Sequence, residues 1–330
     1  MSKIVIVTGG AGYIGSHACK ALARAGYLPV TYDNLTRGHA EAVKWGPLET
    51  GDIQDSGRLD EVFQQYQPCA IMHFAALAYV GESVTNPAAY YQNNVVGTFN
   101  LLKQMMHHGI DSFIFSSTCA IYGTPTEIPI AENHHKAPVN PYGNTKATVE
   151  NMLADISETN KLKFVSLRYF NAAGADPDGE LGENHLPETH LIPLVLQTAA
   201  GSSPCIEIFG DNYETPDGTC IRDYIHVTDL AKAHVLALDY LVDGGTSNFY
   251  NLGTEAGFSV REIIDNAKRV TGKDIRVKIA ARRPGDPPSL IADSSKIRRE
   301  LQWIPRHSDI DSILSTAWRW QLNNPSAKNK

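Results

Sequence analysis

Tyr142 and Lys146 stand four residues apart in PYGNTK, on one face if that segment is helical. Pro141 just before them suits a first helical turn. A tyrosine is a poor base at neutral pH because its reference pKa is about 10. An ammonium about 4 Å away contributes on the order of 4 kcal/mol at an effective dielectric near 20, which corresponds to roughly three pKa units. Such a pair can therefore act as a general base near pH 7. Alone, Tyr-x-x-x-Lys is a short motif that surface helices also produce by chance. Ser116-Ser117-Thr118, in FIFSSTCAIYG, adds hydroxyls that can donate to a substrate oxygen or pass a proton to Tyr142. The plain alternative is a polar loop after a strand.

The second chemical signal is Thr8-Gly9-Gly10-Ala11-Gly12-Tyr13-Ile14-Gly15, between an apolar run and an amphipathic stretch. Gly9 permits a tight turn, Gly12 lets backbone approach a pyrophosphate, and Gly15 lets the helix pack close to the sheet. The helix N-terminus, with Tyr13 and Ile14, offers free N–H groups to phosphates. Asp33 ends the next apolar run, where an acid would accept both hydroxyls of an adenosine ribose, with Asn34 beside it. Asp33 repels a 2′-phosphate, so NAD is expected over NADP, although Arg37 nearby leaves NADP as an alternative. Asp52-Ile53 and Phe74-Ala75-Ala76 each fall at the end of a further strand, where ligands bind in parallel sheets. The positive ring of an oxidised nicotinamide would lower the Tyr142 pKa further.

The elements that must position these residues alternate. Strands are expected over Lys3–Thr8, Pro29–Asp33, Leu48–Ile53, Cys69–Phe74, Ser112–Ser116 and Lys163–Tyr169. Helices are expected over Ile14–Ala25, Ser56–Tyr66, Asn93–His108 and Thr145–Thr159. This rhythm predicts an α/β, Rossmann-type doubly wound parallel sheet with a smaller mixed α/β, substrate-binding C-terminal lobe. The expected division is 1–172 for the dinucleotide domain, with 218–250 packing back onto it, and 173–330 for the substrate lobe. Ala173 to Glu188 reads as a loop, Ser259 caps a helix from Val260 to Val270, and Asn323–Lys330 reads as a frayed tail.

Net charge of −7 over 330 residues argues against nucleic acid or an anionic membrane as the main partner. No stretch is long and apolar enough to span a bilayer. The five cysteines are odd in number and lack CxxC spacing, which argues against a disulfide framework or a zinc site and fits a cytoplasmic setting. His107-His108 and His134-His135 lack metal-ligand spacing, so no metal is expected. Cys119 reads as a structural thiol.

TGGAGYIGSH, DNLTRGH, GDI, HFAA, NNVVGT, SST with YG, YGNTK, RYFNAAG and RDYIHVTDL together resemble the extended short-chain dehydrogenases/reductases, and within them the nucleotide-sugar epimerases. The likeness runs from about Lys3 to Trp303. It implies inversion at C4 of UDP-glucose and UDP-galactose through a 4-keto sugar on tightly held NAD. Tyr142, Lys146 and Thr118 would do the proton chemistry. The resemblance carries cofactor contacts onto Asn94, Ser116, Tyr169 and Phe170 besides the residues already named. UDP-sugar contacts fall on Asn171, at the end of the sixth strand, and on His190, Leu191, Phe209, Arg222, Arg283, Asp286 and Leu290, besides Thr118 and Tyr142. It also implies a homodimer through the helices Asn93–His108 and Thr145–Thr159. Four places depart from the pattern: Thr118 replaces a serine, Ala78 replaces a cofactor-contacting lysine, Thr189-His190-Leu191 replaces an Asn-Asn-Leu near the uridine site, and Leu290 replaces a bulkier tyrosine, which leaves room for N-acetylated sugars. A nucleotide-sugar 4,6-dehydratase would need acids after Thr118, where Cys119-Ala120 stand.

Overall fold

The computed structural model of the chain describes residues 3–283 and 285–324. The β-branched run β1 (Ile4–Thr8) is buried over its last four residues and feeds through the glycine loop into α1 (Tyr13–Arg24). β2 (Leu28–Asp33) and β3 (Leu48–Thr50) follow. β3 stops short of the expected Ile53, because the Asp55 N–H turns back to the Asp52 carbonyl at 2.9 Å and Asp55 caps α2 (Ser56–Tyr66). β4 (Ala70–His73) ends one residue before Phe74.

Beyond β4 come α3 (Val80–Thr85) and α4 (Pro87–Tyr90), a π-helical stretch over Tyr91–Gly97, and α5 (Thr98–His107). The helix read from Asn93 thus starts earlier, at Pro87, whose fixed φ suits a first turn. Its π-helical part holds Asn94, which exchanges two hydrogen bonds with the Leu77 backbone (2.8 and 2.9 Å) and donates to Thr145 Oγ1 (3.1 Å). π-Helical turns concentrate at functional sites. β5 (Ser112–Thr118) runs two residues past its expected end and is buried throughout. α6 (Pro141–Thr159) starts four residues before Thr145, since Asn140 accepts the Gly143 N–H at 2.8 Å and Pro141 fills the first turn.

β6 (Lys163–Tyr169) is followed at once by β7 (Asn171–Ala173). The remaining elements are α7 (Leu191–Ala199), β8 (Ile206–Phe209), β9 (Ile221–His226), α8 (Val227–Val242), β10 (Asn248–Leu252) and β11 (Gly257–Ser259). α9 (Val260–Thr271), capped by a Ser259–Glu262 box, β12 (Val277–Ala280), β13 (Ser289–Leu290), α10 (Ser295–Leu301) and α11 (Ile310–Asn323) complete the chain. Asn323 closes α11; the rest of the tail from 325 lies outside the described residues.

Seven parallel strands form the central sheet in the order β10-β6-β5-β4-β1-β2-β3. The chain order reverses between β1 and β4, so this junction is the switch point where open α/β sheets bind ligands. Helices α1 and α8 bury one face with Ala18, Leu22, Leu230 and Leu238, and α2, α5 and α6 bury the other with Leu59, Leu101 and Val149. A second core lies among α7, α9, α11 and the β9 sheet, with Ile192, Ile263 and Ile313. α8 packs on α1, and β10 adds a strand beside β6, so the chain returns to the first sheet after visiting the second. Among the described residues no helix is long and apolar enough to cross a membrane.

Candidate active site

The glycine loop is built by close approach. Gly9 has φ +75°, and a Cβ there would meet the Ala75 backbone nitrogen at 2.5 Å. A Cβ on Gly15 would collide with the Gly9 carbonyl oxygen. Strand and helix therefore meet only with glycine at both positions. Gly12 caps α1 without a side chain, leaving the helix N–H groups of Tyr13 and Ile14 to an incoming anion. Phe74, Ala75 and Ala76 form the facing wall; the Phe74 N–H donates to the Thr8 carbonyl at 2.8 Å.

Asp33 is buried at the end of β2. It accepts the Ala11 N–H at 3.0 Å and the Leu35 N–H at 2.9 Å on different oxygens, so each oxygen keeps a lone pair for a ribose hydroxyl. Burial pushes its carboxyl up, against those two hydrogen bonds. Asn34 donates to Asp52 at 2.8 Å, and Ile53 is buried beyond them, which frames one rim of the groove. Asp33→Asn should weaken retention of an unphosphorylated dinucleotide by about 10- to 100-fold, the equivalent of ~1.5–3 kcal/mol for charge-assisted hydrogen bonds. Equilibrium dialysis against NAD checks this; unchanged retention would remove Asp33 from the site.

At the C-terminal end of β5 and β6 the polar groups converge. Tyr142 is 8% exposed. Burial pushes its phenol far above the usual tyrosine value, the neighbouring Tyr169 adds to this, and the Thr118 hydroxyl works the other way. Lys146 is held by the end of β5. Its Nζ donates to the Ser116 carbonyl at 2.7 Å and lies 4.8 Å over the Phe115 ring, and burial pushes its own pKa down to about 7. Burial disfavours the charged form of both members of the pair. Ser116 Oγ bonds the Tyr169 hydroxyl at 2.7 Å, and Thr118 Oγ1 accepts the Ala120 N–H at 3.1 Å. Phe170, Leu290 and Ala147 pack in one apolar cluster beside this centre.

Asn171 does not end the sixth strand. β6 stops at Tyr169, and Asn171 opens β7, which pairs in parallel with β9 of the second sheet. Its Nδ2 donates to the Asp223 carbonyl at 3.2 Å. Arg222 lies across from Leu290 in the β9–β13 pairing and forms an ion pair with Asp286, so the expected diphosphate cation and ribose acceptor hold each other. Arg283 is exposed and stacks 4.0 Å from the Phe209 ring centroid; Pro284 lies outside the described residues. Leu191 is the first residue of α7, and His190 caps it.

The structure corrects the histidine reading. Glu183, His185, Glu188 and His190 bring one ligand-capable atom each within 4.8 Å of one another, and so do Asp60, His107 and His108. Burial alone would lower the His190 pKa; Glu183, hydrogen-bonded to it, raises it to about 9.

Several supporting groups escaped the sequence. Glu150, on the α6 face behind Lys146, and Arg168 on β6 form a buried ion pair. Asp223 accepts the N–H groups of Thr254, Glu255 and Ala292 at 2.8–3.1 Å. Lys20 meets Asp176, Asp178 and Glu180, tying the 174–190 loop to α1. An acid and a base far apart in sequence give no local signal. For Glu150 the i+4 spacing after Lys146 was the one trace available.

The family model described as GDP-mannose 4,6 dehydratase matches residues 6–315. A UDP-glucose 4-epimerase of Rhizobium meliloti (strain 1021) is 53% identical over 316 residues, 96% of each chain. The UDP-glucose 4-epimerase of Brucella ovis, solved in complex with NAD, superposes with a TM-score of 0.94 at 54% identity, covering 96% of this chain and 98% of that one. That of Bifidobacterium longum, solved with NAD+ and UDP, gives 0.94 at 38% identity over 98% and 100% of the two chains.

Proposed function

The chain belongs to the UDP-glucose 4-epimerase branch of the extended short-chain dehydrogenases/reductases, and from that membership we propose that it interconverts UDP-glucose and UDP-galactose with a resident NAD. The observation that carries the reading is the convergence of Tyr142, Lys146 and Thr118 at the ligand end of the central sheet, with no acid after Thr118. A dehydratase needs an additional acid/base there. Ala120 has no such group, and burial pushes the Cys119 thiol up to about 12.

The residues present fit the dinucleotide. The loop at Gly9 and Ala75 leaves no room for a Cβ, and Asp33 keeps acceptor capacity on both oxygens. Gly9, Gly12, Tyr13, Ile14 and Gly15 would hold the pyrophosphate, and Asp33 and Asn34 the adenosine ribose. Asp52, Ile53, Phe74, Ala75, Ala76 and Asn94 would line the groove. Ser116, Tyr142, Lys146, Tyr169 and Phe170 would flank the nicotinamide half. When bound, NAD supplies a reversible hydride acceptor, which lets C4 pass through a ketone and return inverted.

Tyr142 takes the proton of the sugar 4-hydroxyl and later returns it. Thr118 donates to the same oxygen and holds it against the phenol. Lys146, fixed by the Ser116 carbonyl, orients the nicotinamide-side ribose and stabilises the phenolate. Phe209, Arg222, Arg283 and Asp286 bind the uridine diphosphate, for which the Arg222–Asp286 pair opens. Asn171, His190 and Leu191 border the same ligand. Leu290 sits against the sugar; its modest size favours acceptance of N-acetylated UDP-sugars as well. The enzyme works in the cytoplasm as a homodimer, joined through the faces that leave Tyr91, Val96 and Phe99 at 42%, 48% and 45% exposure.

The purified protein, incubated with UDP-galactose and no added dinucleotide, should yield UDP-glucose, and its denatured supernatant should contain about one NAD per chain. Net accumulation of reduced dinucleotide or of a 4-keto-6-deoxy sugar would overturn the reading. UDP-N-acetylglucosamine run in parallel tests Leu290: turnover of UDP-glucose alone would mean the pocket is refilled by neighbouring loops.

A further inference from the structure

The loop between β7 and α7 carries Glu183, His185, Glu188 and His190, an E-x-H-x2-E-x-H sequence with all four side chains turned to one point. We propose that these four residues bind a single divalent transition-metal cation of the zinc class, at a site adjoining the dinucleotide loop.

Donor geometry supports the site. His185 Nδ1 lies 3.0 Å from Glu183 Oε1 and 3.9 Å from Glu188 Oε2, and His190 Nδ1 lies 3.7 Å from Glu188 Oε1 and against Glu183 Oε1. Four ligands at about 2.0–2.2 Å around a tetrahedral zinc stand roughly 3.3–3.6 Å from one another. The separations to Glu188 lie just above that edge and the Glu183 contacts below it, so a cation enters as the Glu183–His190 hydrogen bond opens.

The cluster also lacks a satisfactory arrangement of its own. His185 Nδ1 is buried without a hydrogen-bond partner, although the Glu183 carboxylate stands 3.0 Å away. Glu183 and Glu188 side chains are only 6% and 7% exposed. Among the described residues no lysine or arginine pairs with either. Glu183 is paired with His190, Glu188 is held by two backbone N–H groups, and His185 Nδ1 is left without a hydrogen bond; two imidazoles with two carboxylates are a donor set suited to a borderline-soft dication.

The supporting groups are those of a built site. Glu188 Oε1 accepts the N–H groups of Thr189 at 2.7 Å and His190 at 2.8 Å, which leaves Oε2 free for an ion. The Trp320 indole holds the Glu183 carbonyl at 3.0 Å. The rings of Tyr13 and Tyr79 meet His185 edge-on, with centroids 6.1 and 5.9 Å away. Tyr13 is the first residue of α1, so an ion here would clamp the loop over the dinucleotide cradle. Bound through Nδ1, His190 would keep its remaining proton on Nε2, fixing the tautomer of a half-exposed ring.

The test needs no substrate, so it stands apart from the epimerase reading. The full-length protein, stripped with a chelator and dialysed, is titrated with Zn2+ by calorimetry and with Co2+ by visible absorption. One saturable Zn2+ per chain and the d–d bands of a tetrahedral Co2+ are expected. His185→Gln and Glu188→Gln, each checked for native circular dichroism, should each weaken Zn2+ binding at least ~10- to 100-fold, whereas Asp60→Asn in the surface Asp60–His107–His108 group should not. Absence of saturable binding, octahedral Co2+ spectra, or binding that survives both loop variants while Asp60→Asn abolishes it would each overturn the proposal.

Discussion

Tyr142→Phe is expected to lower kcat about 10²- to 10⁴-fold, the range for loss of a positioned general acid/base, while dinucleotide content and UDP affinity stay near native. The removed hydroxyl belongs to a side chain 8% exposed, so the ring keeps its packing and only the proton-carrying oxygen is lost. The same burial that holds the phenol protonated in the ligand-free fold makes it a sensitive reporter. Its proton leaves only when cationic groups gather around it, so the native kcat should rise with pH on the limb governed by that ionisation, and the residual rate of Tyr142→Phe should be flat there. Stopped-time conversion of UDP-galactose between pH 6 and 9 reads both effects. A variant with native kcat, or one whose profile keeps the native limb, would move the base elsewhere, with Thr118 the next group to test.

How much of this site was legible in the chain follows from how local each part is. The Gly9–Gly15 loop, Asp33 and the Tyr142–Lys146 spacing are short-range patterns whose physics is set within one turn or one strand end; the loop lies at the β1–β4 switch point and Lys146 reaches the end of β5 on the same edge of the sheet. The strand switch at Asn171 was not legible, because β7 is three residues long and is defined by pairing with β9 some fifty residues later. The Arg222–Asp286 pair spans 64 positions and the Lys20 cluster more than 150. The π-helical stretch at Tyr91–Gly97 hides because it is a short insertion between helical segments, defined by its backbone hydrogen bonds and not by a local residue pattern. The charge of Lys146 is legible from its spacing, whereas the burial that pushes the Tyr142 phenol up is not.

Arg168→Met should destabilise the fold by up to about 3–5 kcal/mol, the cost of breaking a buried ion pair, because Lys136 Nζ, 3.5 Å from Glu150 Oε2, is then the one cation left to that carboxylate among the described ion pairs. Arg168 donates to both Glu150 oxygens, at 2.9 Å to Oε1 and 2.8 Å to Oε2, and to the Tyr122 hydroxyl and the Glu132 carbonyl at 2.9 Å each. Glu150 Oε1 also accepts from Ser117 at 2.7 Å and Ser166 at 2.8 Å, so one carboxylate ties α6 to β5 and β6 directly behind Thr118 and Lys146. Burial alone would push the Glu150 carboxyl up, but the guanidinium and the two hydroxyls overrule it and hold it below the usual carboxylate range. A carboxyl depressed in the folded state adds stability above its unfolded pKa, about 4.3, and loses it as pH falls through the folded value. The deficit of Arg168→Met against the native chain should therefore be full at pH 7 and narrow toward pH 4, read from denaturant midpoints with the slope held in view. Removing both charges, as in Arg168→Met with Glu150→Leu, should cost less than Arg168→Met alone, because no buried carboxylate is left unpaired. If the double variant were the less stable of the two, the ion pair would be contributing net stability and the penalty argument would fail. If the deficit did not change with pH, Glu150 would not be the group left stranded.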